Sequence, residues 1–281
     1  MLTEHTLQGV FVPVVTPLDR RGRLDVRSFK DLVKRLVDKG VHGLVVNRTA
    51  GEAPAIEPEE LELLIVTARK TMGKIPLIAA ALSGSTASVV QQASRARALG
   101  ADAVLVAASG GGEAARKHSI TRFQALAGAA VPIIIEEGSC GRGAPLELET
   151  IRSMMGMDHV IGFNDTSGSI RHYFKLVRSL AKPVLCGEDK LFFASLCCGG
   201  KGGVLTSANL DSDQFVQVYE LFRSGRIDES GQRFDQLLPL VQFLTSEPNP
   251  APLKWLLAQR GHIRSDGLRL PTASSGQRSC T

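Results

Sequence analysis

Short runs rich in Val, Ile, Leu and Ala recur about every 25 to 30 residues along the chain, each closing on small or polar residues. They are VFVPVV from Val10, GLVV from Gly43, PLIAAA from Pro76, AVLVAA from Ala103, PIII from Pro132, VIGF from Val160, PVLC from Pro183 and GVLT from Gly203. Such short runs, apolar on both faces, predict strands of a buried parallel sheet. The stretches between them have helical spacing. From Ser28, for instance, Phe29, Leu32, Val33, Leu36 and Val37 share one face, lysines lie opposite, and Gly40 ends the segment. Eight strand–helix units close most simply as a (β/α)8 TIM barrel, with an open doubly wound sheet as the alternative.

After GVLTSAN the alternation stops and only helical periodicity remains. DSDQFVQVYELFRSG reads as the last barrel helix. ESGQRFDQLLPLVQFLTSE and APLKWLLAQRG read as a further helical unit. The expected division is a barrel over 1–225 and a small C-terminal all-helical extension over 226–281. Its Ser-rich end, TASSGQRSCT, is expected to be mobile.

Composition removes several classes. With 43% hydrophobic and 22% charged residues the chain can fill a large core, unlike disordered, collagen-like or coiled-coil chains. The net charge is +5, and Arg260, Arg264, Arg269 and Arg278 against Asp266 account for +3 of it. That is a solvated end rather than a nucleic-acid footprint, so no nucleic-acid partner is expected. No run approaches 18 apolar residues, and MLTEHTLQGV lacks the basic and apolar regions of a secretory leader. The expectation is therefore no membrane and a cytoplasmic setting. Cys140, Cys186, Cys197, Cys198 and Cys280 show no C-x-x-C spacing and read as reduced, mostly buried thiols.

Barrels of this kind place their functional groups at the carboxyl ends of the strands. Those ends carry Glu52, Glu136, Glu137, Asp165, Glu188 and Asp189, against an early cation, Arg48, and a later one, Lys190. Capping of the following helix explains several of these acids equally well. Glu136 differs: it directly follows three isoleucines and should project near the barrel axis, where an unpaired carboxylate is costly. It is a candidate general base. Glu136 with Asp165 or Glu188 is also a candidate set for a divalent cation, although spacing fixes no metal ligands and no other cofactor is implied. All six histidines fall outside the strand ends, which argues against a histidine base. The run from Ser109 to Gly112 offers backbone N–H groups to a phosphate but lacks the lysine and hydroxyl of a P-loop, so it reads as a flexible loop.

Five segments, in order, carry a resemblance. GVFVPVVTPLD from Gly9, GVHGLVVNRTAGEAP from Gly40, GADAVLV from Gly100, GGKGGVLTSAN from Gly199 and EPNPAPLKW from Glu247 resemble the family of dihydrodipicolinate synthase and N-acetylneuraminate lyase. The match runs roughly from Gly9 to Gly261. It implies a TIM barrel with a C-terminal helical domain, a homodimer or homotetramer, and class I lyase or aldolase chemistry on a pyruvate-like 2-oxo acid. In that chemistry a lysine on the sixth strand forms an imine with the ketone.

Matched without gaps, Asn164 takes the place of that lysine, with Asp165 next, and Glu136 replaces the phenolic proton shuttle of the fifth strand. The loop of the family's second tyrosine reads Ser109-Gly110-Gly111-Gly112. Of two threonines implied to hold the substrate carboxylate, Thr49 is kept and the other is Ala50, with Arg48 just before them. Val204 is implied to contact the same substrate, and Arg142 falls one place from the family's arginine. An amide nitrogen is not nucleophilic, so lysine-imine chemistry is expected to be lost or altered. Lys190 as a substitute amine and a metal as a substitute electron sink are two altered routes. The alternative is a non-catalytic metabolite-binding barrel, a sensor or partner subunit.

Overall fold

The apolar runs pair in chain order and close on themselves. The computed structural model describes residues 2–80, 84–108, 112–137 and 146–269. Its eight parallel strands are β1 (Gly9–Pro13), β2 (Gly43–Val46), β3 (Leu77–Ala80), β4 (Ala103–Ala108), β5 (Ile133–Glu137), β6 (Val160–Asp165), β7 (Val184–Cys186) and β8 (Gly202–Val204). Each pairs with the next, and β8 returns to β1 with Gly202 opposite Gly9. The closure is tight: Gly202 takes φ +150°, and a Cβ there would stand 2.1 Å from the Gly9 carbonyl oxygen.

The outer ring consists of α1 (Val26–Asp38), α2 (Pro58–Met72), α3 (Thr86–Ala98), α4 (Gly112–Ala125), α5 (Leu148–Met155), α6 (Ile170–Ser179), α7 (Phe192–Cys197) and α8 (Ser212–Arg223). Asp25, Ser85 and Ser169 cap α1, α3 and α6 by accepting a first-turn N–H. Beyond the barrel, α9 (Ile227–Thr245) and α10 (Ala251–Gln259) form the helical extension. Phe234 of α9 packs against Phe192 and Phe193 at the start of α7, and Ser230 Oγ donates to the Val218 carbonyl of α8 at 2.7 Å. No described helix is long and apolar enough to cross a membrane. The Ser-rich end, Arg142, Cys140 and Ser109–Gly111 lie outside the described residues.

Two strands run further than their apolar pattern. β5 continues through Glu136 and Glu137, opposite Ala107 and Ala108, and β6 continues through Asn164 and Asp165, opposite Leu185 and Cys186. Alternation then assigns their faces. Phe11, Val45, Ile78, Leu105, Ile134, Leu185 and Val204 belong to the cluster that fills the barrel, whereas Ile133, Ile135 and Phe163 belong to the larger core shared with the helices. Glu136 follows the inward phase of Ile134, and Glu137 the outward phase of Ile135.

β6 reaches the matching phase by an irregularity. Ile133 lies opposite Val160 but Ile134 lies opposite Gly162, so Ile161 is an extra residue. Gly162 and Asn164 then point inward; a Cβ on Gly162 would collide with Leu7, which plugs the barrel floor. Phe163 and Asp165 point outward.

Candidate active site

The inward ends of β5 and β6 meet the loop after β2. Glu136 Oε1 receives hydrogen bonds from Arg48 Nε at 2.7 Å and from Asn164 Nδ2 at 3.1 Å, with Arg48 Nη2 at 2.5 Å. The Arg48 and Glu136 side chains are each 11% exposed, and Asn164 is fully buried. A charge this enclosed needs its partner, since removing one member of a buried pair typically costs about 3–5 kcal/mol. Asn47, just before Arg48, holds φ +62° and donates from Nδ2 to the Ala80 carbonyl, fixing the loop that delivers the guanidinium.

Beside this group lies a cavity of about 330 Å³, lined by Arg48, Thr49, Gly187, Glu188, Ser207 and Glu247 among others. Its size suits a small metabolite. A Cβ on Gly187 would come 3.0 Å from Asn164 Nδ2, so the missing side chain brings the β7 end close to the amide. Asp189 ties this rim together, accepting from the backbone N–H of Thr206 at 2.9 Å and of Ser207 at 2.6 Å. Burial pushes its carboxyl upward, opposed by those N–H donors. Burial also raises the carboxyl of Glu188, with Lys190 pulling the other way, and pushes the Cys186 thiol up to about 12.

On the outer face of the same two strands stands a second group. Glu137 Oε2 meets His172 Nε2 at 3.0 Å, and Glu137 Oε1 accepts the Leu146 N–H at 3.1 Å. Asp165 Oδ1 accepts the Ser167 N–H at 2.9 Å. Among the described residues, Glu137, Asp165 and His172 alone place three ligand-type side-chain atoms together, all within 4.8 Å of one another.

Comparison with known proteins agrees with the fold. A profile described as the Dihydrodipicolinate synthetase family matches residues 6–279. The chain belongs to the dihydrodipicolinate synthetase family. It is 31% identical over 269 residues to the 4-hydroxy-tetrahydrodipicolinate synthase of Herminiimonas arsenicoxydans, covering 94% of this chain and 92% of the relative. To the synthase of Syntrophobacter fumaroxidans it is 30% identical over 270 residues, 95% of this chain and 92% of that one. Among solved structures, dihydrodipicolinate synthase from Thermotoga maritima superimposes with a TM-score of 0.90 at 27% identity, over 97% of this chain and 95% of that one. The Acinetobacter baumannii synthase complexed with pyruvate does so with a TM-score of 0.90 at 25% identity, over 96% and 94%.

Within this family frame, the structure brings together Arg48, Glu136 and Asn164, and it sets Thr49 on the cavity wall. Ala50 and Val204 do not line that cavity: Ala50 packs in the core shared with the helices and Val204 in the barrel interior. Three expectations are corrected. Glu136 does not pair with Asp165 to hold a cation, because alternation sends the two to opposite faces and Arg48 neutralises Glu136. Lys190 is exposed on the short turn Asp189–Leu191 and does not line the cavity, so it offers no amine there. And a histidine does reach the strand ends. His172 is the third residue of α6, only seven positions after Asp165, and that closeness was the signal that could have found it.

Proposed function

We propose that this family member binds a small 2-oxo acid of the pyruvate type in the barrel mouth and does so without forming an imine. The observation that carries this reading is Asn164. A carboxamide fills the inward position near the end of β6, its nitrogen committed to Glu136, and among the described residues no lysine lines the adjacent cavity. Losing a covalent nucleophile costs about 10⁶ in rate, roughly 8 kcal/mol of barrier, so ordinary family turnover is not expected to survive. Arg48 keeps N–H donors beyond the two engaged by Glu136, and these with the Thr49 hydroxyl suit a carboxylate. Synthases of this family, including one complexed with pyruvate, supply the ligand class.

The same closed network favours a metabolite-binding barrel, a sensor or partner subunit, over an enzyme with altered lyase chemistry. The setting proposed is cytoplasmic, consistent with free thiols at Cys186, Cys197 and Cys198. The assembly proposed is a homodimer or homotetramer, for which Ile170 and Phe174, exposed one turn apart on α6, offer apolar surface.

The deciding experiment is incubation with pyruvate and borohydride followed by intact-mass measurement, alongside pyruvate binding by calorimetry. Binding without a covalent adduct is the expected pair of results. A trapped adduct on the unaltered chain overturns the reading. The substitution Asn164→Lys should create a trappable adduct, since it returns an amine to the inward face of β6.

A further inference from the structure

The outer group at the ends of β5 and β6 has a charge problem that the pocket chemistry does not touch. Glu137 and Asp165 are each 4% exposed, and their cationic neighbour in the group is one imidazole. The pair of Glu137 with His172 accounts for one carboxylate. It leaves Asp165 held beside Glu137 in a dry environment, an arrangement that needs a further cation or a proton.

The anchoring of the group is the second observation. Each carboxylate has one oxygen fixed by a backbone N–H, Glu137 Oε1 by Leu146 and Asp165 Oδ1 by Ser167, which sets its orientation and leaves the other oxygen uncommitted to the backbone. Outer hydrogen bonds of this kind orient first ligands in metal sites. The three side chains come from three separate elements, β5, β6 and α6, and converge to within 4.8 Å without a lysine or arginine among them.

We propose that Glu137, Asp165 and His172 form a site for one divalent transition-metal ion, of the Zn²⁺ class. One imidazole nitrogen with two carboxylate oxygens suits Zn²⁺ or Mn²⁺ better than Ca²⁺ or Mg²⁺, which take oxygen ligands. Two carboxylates against a 2+ charge leave the neutral imidazole to complete a three-ligand set. Such an ion lies behind the barrel wall and not on its axis, so it does not touch a ligand in the mouth. It clamps the strands that carry Glu136 and Asn164, and its role is to hold β5, β6 and α6 in register.

The test uses the full-length protein, stripped with chelator and exchanged into metal-free buffer, titrated with ZnCl₂ by calorimetry and with CoCl₂ by visible absorption. The expected result is one ion per chain with micromolar or tighter affinity and a Tm raised by Zn²⁺. His172→Gln, at a position whose side chain is 21% exposed, should weaken Zn²⁺ binding by about tenfold or more and remove the Tm shift. Asp165→Asn should do the same. No binding by the unaltered chain overturns the proposal and leaves a protonated Asp165 as the solution to the buried charge. Stoichiometric binding retained in both variants places the ion elsewhere on the chain and overturns the proposal equally.

Discussion

Lys254 keeps its ammonium group in a fully buried side chain, donating to Glu52 Oε1 and, at 3.0 Å, to the Gly267 carbonyl. Burial holds its pKa down, and the Glu52 carboxylate opposes that shift. Lys254→Met removes the ammonium that faces the buried Glu52 carboxylate and should cost about 3–5 kcal/mol in urea unfolding. Residues of this kind were hard to read from the chain. Lysine inside LKW looks like a solvated face of a helix, and only the fold brings Glu52, 202 positions earlier, against it. Glu136 was legible because three isoleucines set its phase. Its partner was not: Arg48 appeared as one cation among many acids, and nothing in the spacing says that a guanidinium 88 positions away reaches it. At this scale Asp25 gives a pH-dependent test. Burial pushes its carboxyl up, but the Ser28 hydrogen bonds, with the charge of Arg264 and the Arg27 N–H, outweigh it and hold the carboxyl below its usual range. Its contribution is thus full above the unfolded value and lost as pH falls through the folded one. Asp25→Ala should cost about 1 kcal/mol near neutrality, and the gap to the unaltered chain should narrow in urea titrations run toward pH 3.

Among elements, the strands were the most legible part, since eight apolar runs with helical stretches between them admit few closed arrangements. Their lengths were less so. β5 and β6 extend through four polar residues because Arg48 and His172 supply partners on either side, and a pattern of apolar residues alone cannot show partners. Where β8 meets β1, backbone approaches backbone with no room for a side chain. Gly202→Ala places a Cβ 2.5 Å from the Gly9 nitrogen and 2.1 Å from its carbonyl oxygen. Strand separation must then give way, and the expected outcome is a loss above about 3 kcal/mol, read as a shifted urea midpoint or as failure to accumulate folded protein.

For the whole molecule, the sequence suggested a barrel and an appended helical unit. The contacts of Phe234 with Phe192 and Phe193, together with Lys254 to Glu52 and Arg269 to Glu60, bind the extension to both halves of the barrel. The two are expected to unfold as one unit. The chain's single tryptophan, Trp255, lies in α10, so its fluorescence follows the extension while far-ultraviolet circular dichroism follows mostly the barrel. Coincident urea curves are expected; separate midpoints would show independent domains.

The extra residue at Ile161 sets the phase of the end of β6. Upstream of it the strand keeps one frame, and downstream another, so the inward position belongs to Asn164 and the outward one to Asp165. Removing that one residue would turn the final segment over, presenting an acid to the barrel axis and an amide to the helices. A barrel of this design can therefore exchange the functional group in its mouth by a change of length at a buried apolar position, with no substitution at the site itself.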